Sequence, residues 1–289
     1  MTGSLPRRFG AQALRVVMVL AIIAMTVWTG AVGCLWVNES RLVFSAGRSR
    51  IISPVNYDEL VQLTTSDGVR LDAVTLRADR PSDYWILFCP PAAGTIHGRL
   101  QSQLQELQAL GYNVFAFDYR GFGRNRGTPS ETGLYEDALA AYQYLTGTHH
   151  VLPSRIILGG RSLGTAVAME LSTRVSSAGL LLMSTLDSVP AVAHRFYPWA
   201  PVQWLASYRF DSTTKVARAR GPVVMVHGAG DRLIPIQAAR ALFAALPGPK
   251  EMLETRSGHN RAGFGDGAPL AAALGRFWPV PPPHAPDSE

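Results

Sequence analysis

The sequence predicts an α/β fold in which helices cover both faces of a mostly parallel, doubly wound sheet, with an antiparallel hairpin at its N-terminal edge. Three observations carry this. From Glu59 to Trp278, short continuous apolar runs alternate with segments of helical apolar spacing, as expected of strands buried on both faces. Two runs of alternating polarity, 60–65 and 69–77, meet at Ser66-Asp67-Gly68, which reads as a hairpin. A further apolar run, starting at Arg155, passes through Gly160-Arg161-Ser162-Leu163-Gly164 directly into an Ala-rich helical segment. A chain of 289 residues holds one such domain with a full core and does not require a second.

The chain opens with a polar segment, 1–15, carrying Arg7, Arg8 and Arg15, and then runs without a charge over 16–37. About twenty such residues cross a bilayer as a helix, so the expectation is an uncleaved transmembrane anchor with 1–15 cytoplasmic. Its rivals are a cleaved signal, because Ala31-Val32-Gly33 is a small-residue site, a lipoprotein, because Cys34 follows, and a buried soluble helix. The run exceeds the usual signal length, and Ala31 is a poor first residue for a lipoprotein site. Arg41, Arg48 and Arg50 follow the span as closely as the first three arginines precede it, so charge sets orientation weakly. Large domains translocate with little regard to nearby charge, which favours an extracytoplasmic C-terminal part.

After a linker, 38–58, the domain spans 59–278. Beyond the hairpin, the pattern predicts strand 84–89, helix 100–110 ending at Gly111, strand 112–118 and helix 133–145. The strand entering Gly160, the helix behind it and strand 179–184 come next. Alternation pauses over 188–220, and strand 222–228, helix 236–246, strand 251–255 and helix 269–278 complete the set. The tail, 279–289, is Pro-rich and reads as disordered.

The formal charge of +6 comes mostly from arginines scattered singly among apolar runs, with no dense stripe, so no nucleic-acid partner is expected. Two cysteines, Cys34 and Cys89, make neither a disulfide framework nor a metal site. No cofactor and no metal are called for.

Gly-x-Ser-x-Gly at a strand-to-helix corner holds a serine in strained backbone geometry and lifts its hydroxyl over the sheet. The first N–H groups of the following helix then face any negative charge developing on a substrate carbonyl. In a doubly wound sheet the remaining groups belong after the later strands. Asp231 lies there in Gly228-Ala229-Gly230-Asp231-Arg232, and His259 in Ser257-Gly258-His259-Asn260. The order Ser162, Asp231, His259 gives nucleophile, acid and base. A neutral His259 takes the serine proton, and Asp231 fixes the ring's tautomer. Activity is accordingly expected to fall below pH ~6.5, as imidazole protonates.

Asp187, after strand 179–184, competes as the acid. His227 reads as structural and His149, His150 and His284 as solvated loop residues, while His97 and His194 are kept only as minor candidates for substrate contact. The oxyanion donors are assigned to the backbone N–H groups of Leu163 and, past Pro90-Pro91, of Ala92, with Ala93 as the fallback.

With these residues in place the chain resembles the α/β-hydrolases over about 60–278. More narrowly it is similar to a membrane-anchored, small-capped group that includes lipid hydrolases and protein depalmitoylases, its domain often labelled hydrolase or serine aminopeptidase. The resemblance rests on Gly160-Arg161-Ser162-Leu163-Gly164, on Asp118-Tyr119-Arg120-Gly121-Phe122-Gly123 with Gly127-Thr128-Pro129-Ser130, on His227-Gly228-x-x-Asp231 with Ile234-Pro235, and on Gly258-His259-Asn260. Two departures stand out. Pro90-Pro91 replaces the usual His-Gly before the oxyanion residue, and Thr165 replaces a glycine after the corner. Asp118 to Gly123 is expected to fix loop geometry.

The insertion 188–220 is expected to cap Ser162, with Phe196, Tyr197, Trp199, Trp204, Tyr208 and Phe210 either lining an acyl pocket or packing the insertion onto the sheet. The substrate expected is therefore a small-molecule acyl ester or thioester, cleaved through an acyl-enzyme on Ser162. Peptides are less favoured, as no acidic cluster to bind an amino terminus is evident. A non-catalytic scaffold or binding protein of the same fold, and an acyltransferase using the same site, are the alternatives.

Overall fold

The computed structural model describes residues 5–44, 57–98, 100–265 and 267–280, with side chains from residue 11 onward. A long helix, α1 (Leu5–Val37), and one turn of helix, α2 (Glu39–Val43), precede the sheet. Strands β1 (Glu59–Thr64) and β2 (Arg70–Leu76) form the expected hairpin, closed by hydrogen bonds from Thr65 N to Val69 O and from Gly68 N to Thr65 O, both 2.9 Å. Then come β3 (Trp85–Cys89), α3 (Gln101–Ala109), β4 (Asn113–Phe117) and α4 (Glu131–Gly147), followed by β5 (Ile156–Arg161) and α5 (Leu163–Arg174). β6 (Gly179–Met183) leads into the insertion, which carries α6 (Val189–Phe196), α7 (Val202–Leu205) and a 3-10 turn (Val216–Arg218). β7 (Val223–Gly228), α8 (Ile236–Ala245), β8 (Lys250–Thr255) and α9 (Gly267–Phe277) finish the domain.

The eight strands lie in the order β1-β2-β4-β3-β5-β6-β7-β8. β1, β2 and β4 pair antiparallel, and every pairing from β4 to β8 is parallel. Successive strand residues face opposite layers, as a pleat requires. Leu87, Phe115 and Leu158 pack toward α4, α5 and α8, whereas Ile86, Val114 and Ile157 pack toward α3 and α9. β3 through β7 are buried along their whole length, which is why their sequences read as unbroken apolar runs.

Polar contacts fix the loops at the carboxyl ends of the strands. Asp118 Oδ1 accepts the Ile96 N–H at 2.9 Å, tying the end of β4 to the loop after β3, and Asn125 Nδ2 donates to Asp118 O at 2.6 Å. Arg120 joins Asp137 on α4 to Asp67 in the hairpin turn. The 118–123 segment thus holds loop geometry, as anticipated.

The insertion is fastened at one edge through its backbone. Glu39 of α2 accepts the N–H groups of Ser207 and Tyr208, each at 3.0 Å. Glu131 of α4 accepts those of Arg209 and Phe210 at 2.6 and 2.8 Å. Four consecutive amides are therefore held by two carboxylates.

One expectation is corrected. His149 is not a solvated loop residue: its ring packs 5.2 Å from Tyr144 and 5.5 Å from Trp85, with a side chain only 13% exposed. A His beside a helix end looks polar in sequence, and only the tertiary fold brings the aromatic faces to it. Of the two roles open to the aromatics of the insertion, Tyr208 and Phe210 take packing: both meet Phe44, and Phe210 also meets Tyr135. His150 is exposed as expected, while His284 and the tail from 281 fall outside the described residues.

Candidate active site

β5 ends at the corner where Ser162 adopts φ 53° and ψ −121°, a conformation that costs an L-residue of order 1–3 kcal/mol and persists only when its surroundings enforce it. The enforcement is visible. A Cβ on Gly160 would lie 2.3 Å from Gly164 O, and one on Gly164 would lie 2.0 Å from Cys89 O. Only glycines let α5 approach the ends of β3 and β5 this closely. Ser162 N donates to Met183 O on the neighbouring strand at 2.9 Å.

Thr165 supplies a further brace that its place in the sequence did not reveal. Its hydroxyl donates to Ser162 O at 2.6 Å and accepts the buried Leu186 N–H at 3.0 Å. The residue that departs from the usual glycine therefore links the serine corner to the base of the insertion.

Asp231 sits in the turn after β7. Its Oδ1 accepts the N–H groups of Leu233 and Ile234 at 2.9 and 2.8 Å, which aims Oδ2 at the loop after β8. There His259 Nδ1 lies 2.7 Å from Oδ2, and His259 Nε2 lies 2.9 Å from Ser162 Oγ. Burial alone would raise the Asp231 carboxyl. The bond to His259, the two backbone donors and the attraction of the imidazole outweigh it, holding the group below its ordinary value. With the carboxylate ionised, Nδ1 carries the ring proton and Nε2 is free to accept from the serine.

Two residues that sequence reasoning passed over anchor the histidine loop. Ser184 Oγ donates to His259 O at 2.7 Å, and Arg161 Nη1 donates to Asn260 O at 3.0 Å. Burial without a carboxylate partner pushes the Arg161 guanidinium down to about 10. A serine closing a strand and an arginine inside the serine motif carry no pattern that would have singled them out.

Asp187 stays apart from His259, forming an ion pair with Arg195 and accepting the Ser188 N–H. His227 is buried, its Nε2 2.9 Å from Ile234 O and 3.4 Å from Asp231 Oδ2, which supports the structural reading. The two histidines proposed as substrate contacts do not meet the serine. His97 is buried beside Asp72 and Tyr57, and His194 borders a separate surface hollow with Trp199 and Trp204.

Ser162 and His259 open into a cavity of about 720 Å³, within the range usual for small-molecule sites. Leu163 and Ala92 line it, as do Phe196 and Tyr197 of the insertion. Trp199 and Trp204 do not, so of the six aromatics expected over the serine only these two reach it. Val32, Leu35 and Trp36 of α1 complete an outer wall that nothing in the sequence pattern announced.

The human α/β hydrolase domain-containing protein 17B is 31% identical over 207 residues, which cover 70% of this chain and 69% of that protein. The chain belongs to the α/β-hydrolase superfamily. Residues 87–213 of this α/β-hydrolase match the family described as serine aminopeptidase, S33. An uncharacterized protein of Mycobacterium tuberculosis strain H37Rv is 34% identical over 273 residues, 92% of this chain and 95% of its own. Among solved structures, the Pyrococcus furiosus esterase Pf2001 superposes with a TM-score of 0.65 at 19% identity, over 79% of this chain and 96% of that one, a likeness of fold.

Proposed function

We propose that this α/β-hydrolase is a serine hydrolase cleaving carboxylic ester or thioester bonds of acyl, lipid-like substrates through an acyl-enzyme on Ser162. The observation that carries the reading is the unbroken Ser162–His259–Asp231 chain of hydrogen bonds at 2.9 and 2.7 Å. His259 Nε2 takes the hydroxyl proton as Oγ attacks the carbonyl carbon, and Asp231 stabilises the imidazolium. The backbone N–H groups of Leu163 and Ala92 receive the oxyanion, each such donor contributing about 2.7–4 kcal/mol. The same proton then passes to the departing alkoxide or thiolate. Water, losing a proton to Nε2, releases the acid and restores Ser162.

The lining of the cavity supports an apolar acyl group. Glu39, the acidic residue among the described lining residues, has both oxygens engaged by Ser207 and Tyr208, which leaves no free carboxylate for a peptide amino terminus. We read α1 as an uncleaved membrane anchor, because 16–37 carries no charge and is long enough to span, with the catalytic domain on the extracytoplasmic side, because large domains translocate with little regard to nearby charge.

A fluorophosphonate probe tests the assignment: the full-length, detergent-solubilised protein is expected to label at Ser162, and Ser162→Ala to lose both label and p-nitrophenyl ester turnover. A folded protein that resists labelling would return the chain to the scaffold reading. Product analysis with added alcohols or amines separates hydrolysis from acyl transfer.

A further inference from the structure

The cavity wall contributed by the end of α1 and the first residue of α2 follows one helical face. Val32, Leu35, Trp36 and Glu39 follow the i, i+3, i+4, i+7 spacing that puts side chains on a single side. One turn earlier, Trp28 Nε1 donates to Trp199 O at 3.1 Å and pins the helix to the insertion. Before that point the described side chains of α1, 11–27, are exposed throughout. At 1.5 Å per residue the charge-free stretch 16–37 is about 33 Å long, enough to cross a ~30 Å hydrocarbon core. When it spans, its last turns, which wall the cavity, lie at the membrane boundary.

Beside those turns the insertion presents large apolar side chains that no element covers. Trp204 is 86% exposed, Phe196 54% and Trp199 48%, and Trp36 of α1, which lines the cavity with Phe196, is exposed too. Clustered bare aromatics are unusual on a surface facing only water, whereas tryptophan is enriched where a protein meets lipid headgroups. Phe196 belongs both to this face and to the cavity lining, so face and cavity are continuous.

We propose that the aromatic face of the insertion, together with the end of α1, seats in a lipid bilayer, so that the cavity opens into the acyl region and receives its substrate laterally from the membrane. The seat rests on exposure, geometry and the anchor reading of α1; the delivery of a substrate rests on the hydrolase reading given above. Cleavage before Cys34 would remove Trp28 and Val32 and breach the cavity wall, so a retained helix is part of the site.

The test uses full-length protein in phospholipid nanodiscs carrying a diazirine-bearing phospholipid, with adducts mapped by peptide mass spectrometry. Adducts are expected on the 196–205 segment as well as on α1. Trp204→Glu, on a side chain outside the cavity, is expected to remove the adducts on 196–205. It should also lower kcat/KM for a long-chain fluorogenic ester held in the bilayer at least tenfold, leaving soluble p-nitrophenyl acetate within twofold. Trp204→Phe is expected to restore both readouts. Adducts confined to residues before 30, or equal effects of Trp204→Glu on the two esters, would overturn the proposal. If wild type turned over neither ester, the hydrolase reading would fall, while adducts on 196–205 would still uphold the lipid seat.

Discussion

Replacing Asp231 with asparagine tests the acid assignment through one proton. Leu233 and Ile234 both donate to Oδ1, so the amide oxygen of an asparagine must occupy that position. The reverse orientation would set an NH2 against two N–H groups and lose both bonds. The NH2 therefore falls where Oδ2 stood, 2.7 Å from His259 Nδ1, and donates to it. That fixes the opposite tautomer, with Nε2 protonated and facing Ser162 Oγ, and the base can no longer accept. A wrong tautomer of this kind costs about 10³–10⁴ in kcat, which at 1.36 kcal/mol per decade is about 4–5.5 kcal/mol of transition-state stabilisation. The assay is kcat/KM on p-nitrophenyl esters alongside the rate of fluorophosphonate labelling, and both should fall together while the melting temperature stays within a few degrees of wild type. Asp187→Asn serves as the control, because Asp187 is paired with Arg195. Activity above a tenth of wild type in Asp231→Asn, with loss in Asp187→Asn, would refute the reasoning.

Thr165→Val leaves the buried Leu186 N–H and the Ser162 carbonyl without their side-chain partner, which should cost about 2 kcal/mol and lower the melting temperature by ~4–8 °C, whereas Thr165→Ser should match wild type in a thermal melt. Burial pushes the Asp118 carboxyl up to about 7, well above its unfolded value near ~3.9. A folded acid with a raised value loses stability as pH rises through that window, so the melting temperature of Asp118→Asn relative to wild type should climb from pH ~4 to ~7 and then level off. A difference that does not vary with pH would contradict the assignment.

The strands and helices of the domain were legible because alternation and helical spacing record which faces are buried. Leu87 and Ile86 announce a strand buried on both sides, and Gly160 and Gly164 announce a close approach. The same record explains Ser162, Asp231 and His259, each placed by a turn after an apolar run. What stayed hidden were contacts between residues distant in the chain that no motif or place after a strand marks. The Thr165 hydroxyl looks like a departure from a glycine until Leu186 appears beside it. The cavity face of α1 cannot be read from 16–37, since a helix apolar all round carries no stripe to mark its docked side. Trp199 and Trp204 were legible as aromatics in an insertion, but composition does not say whether such rings point inward to a cavity or outward.

The two carboxylates that grip residues 207–210 bear on how the active site breathes. A flap swinging about that edge would have to surrender four neighbouring amide bonds in one motion, and Glu39 and Glu131 reach them from separate helices. The insertion is thus tethered along that edge. On the proposal of lateral delivery, a substrate would reach Ser162 past Phe196 and the end of α1, so its traffic would be governed by what lies against those residues.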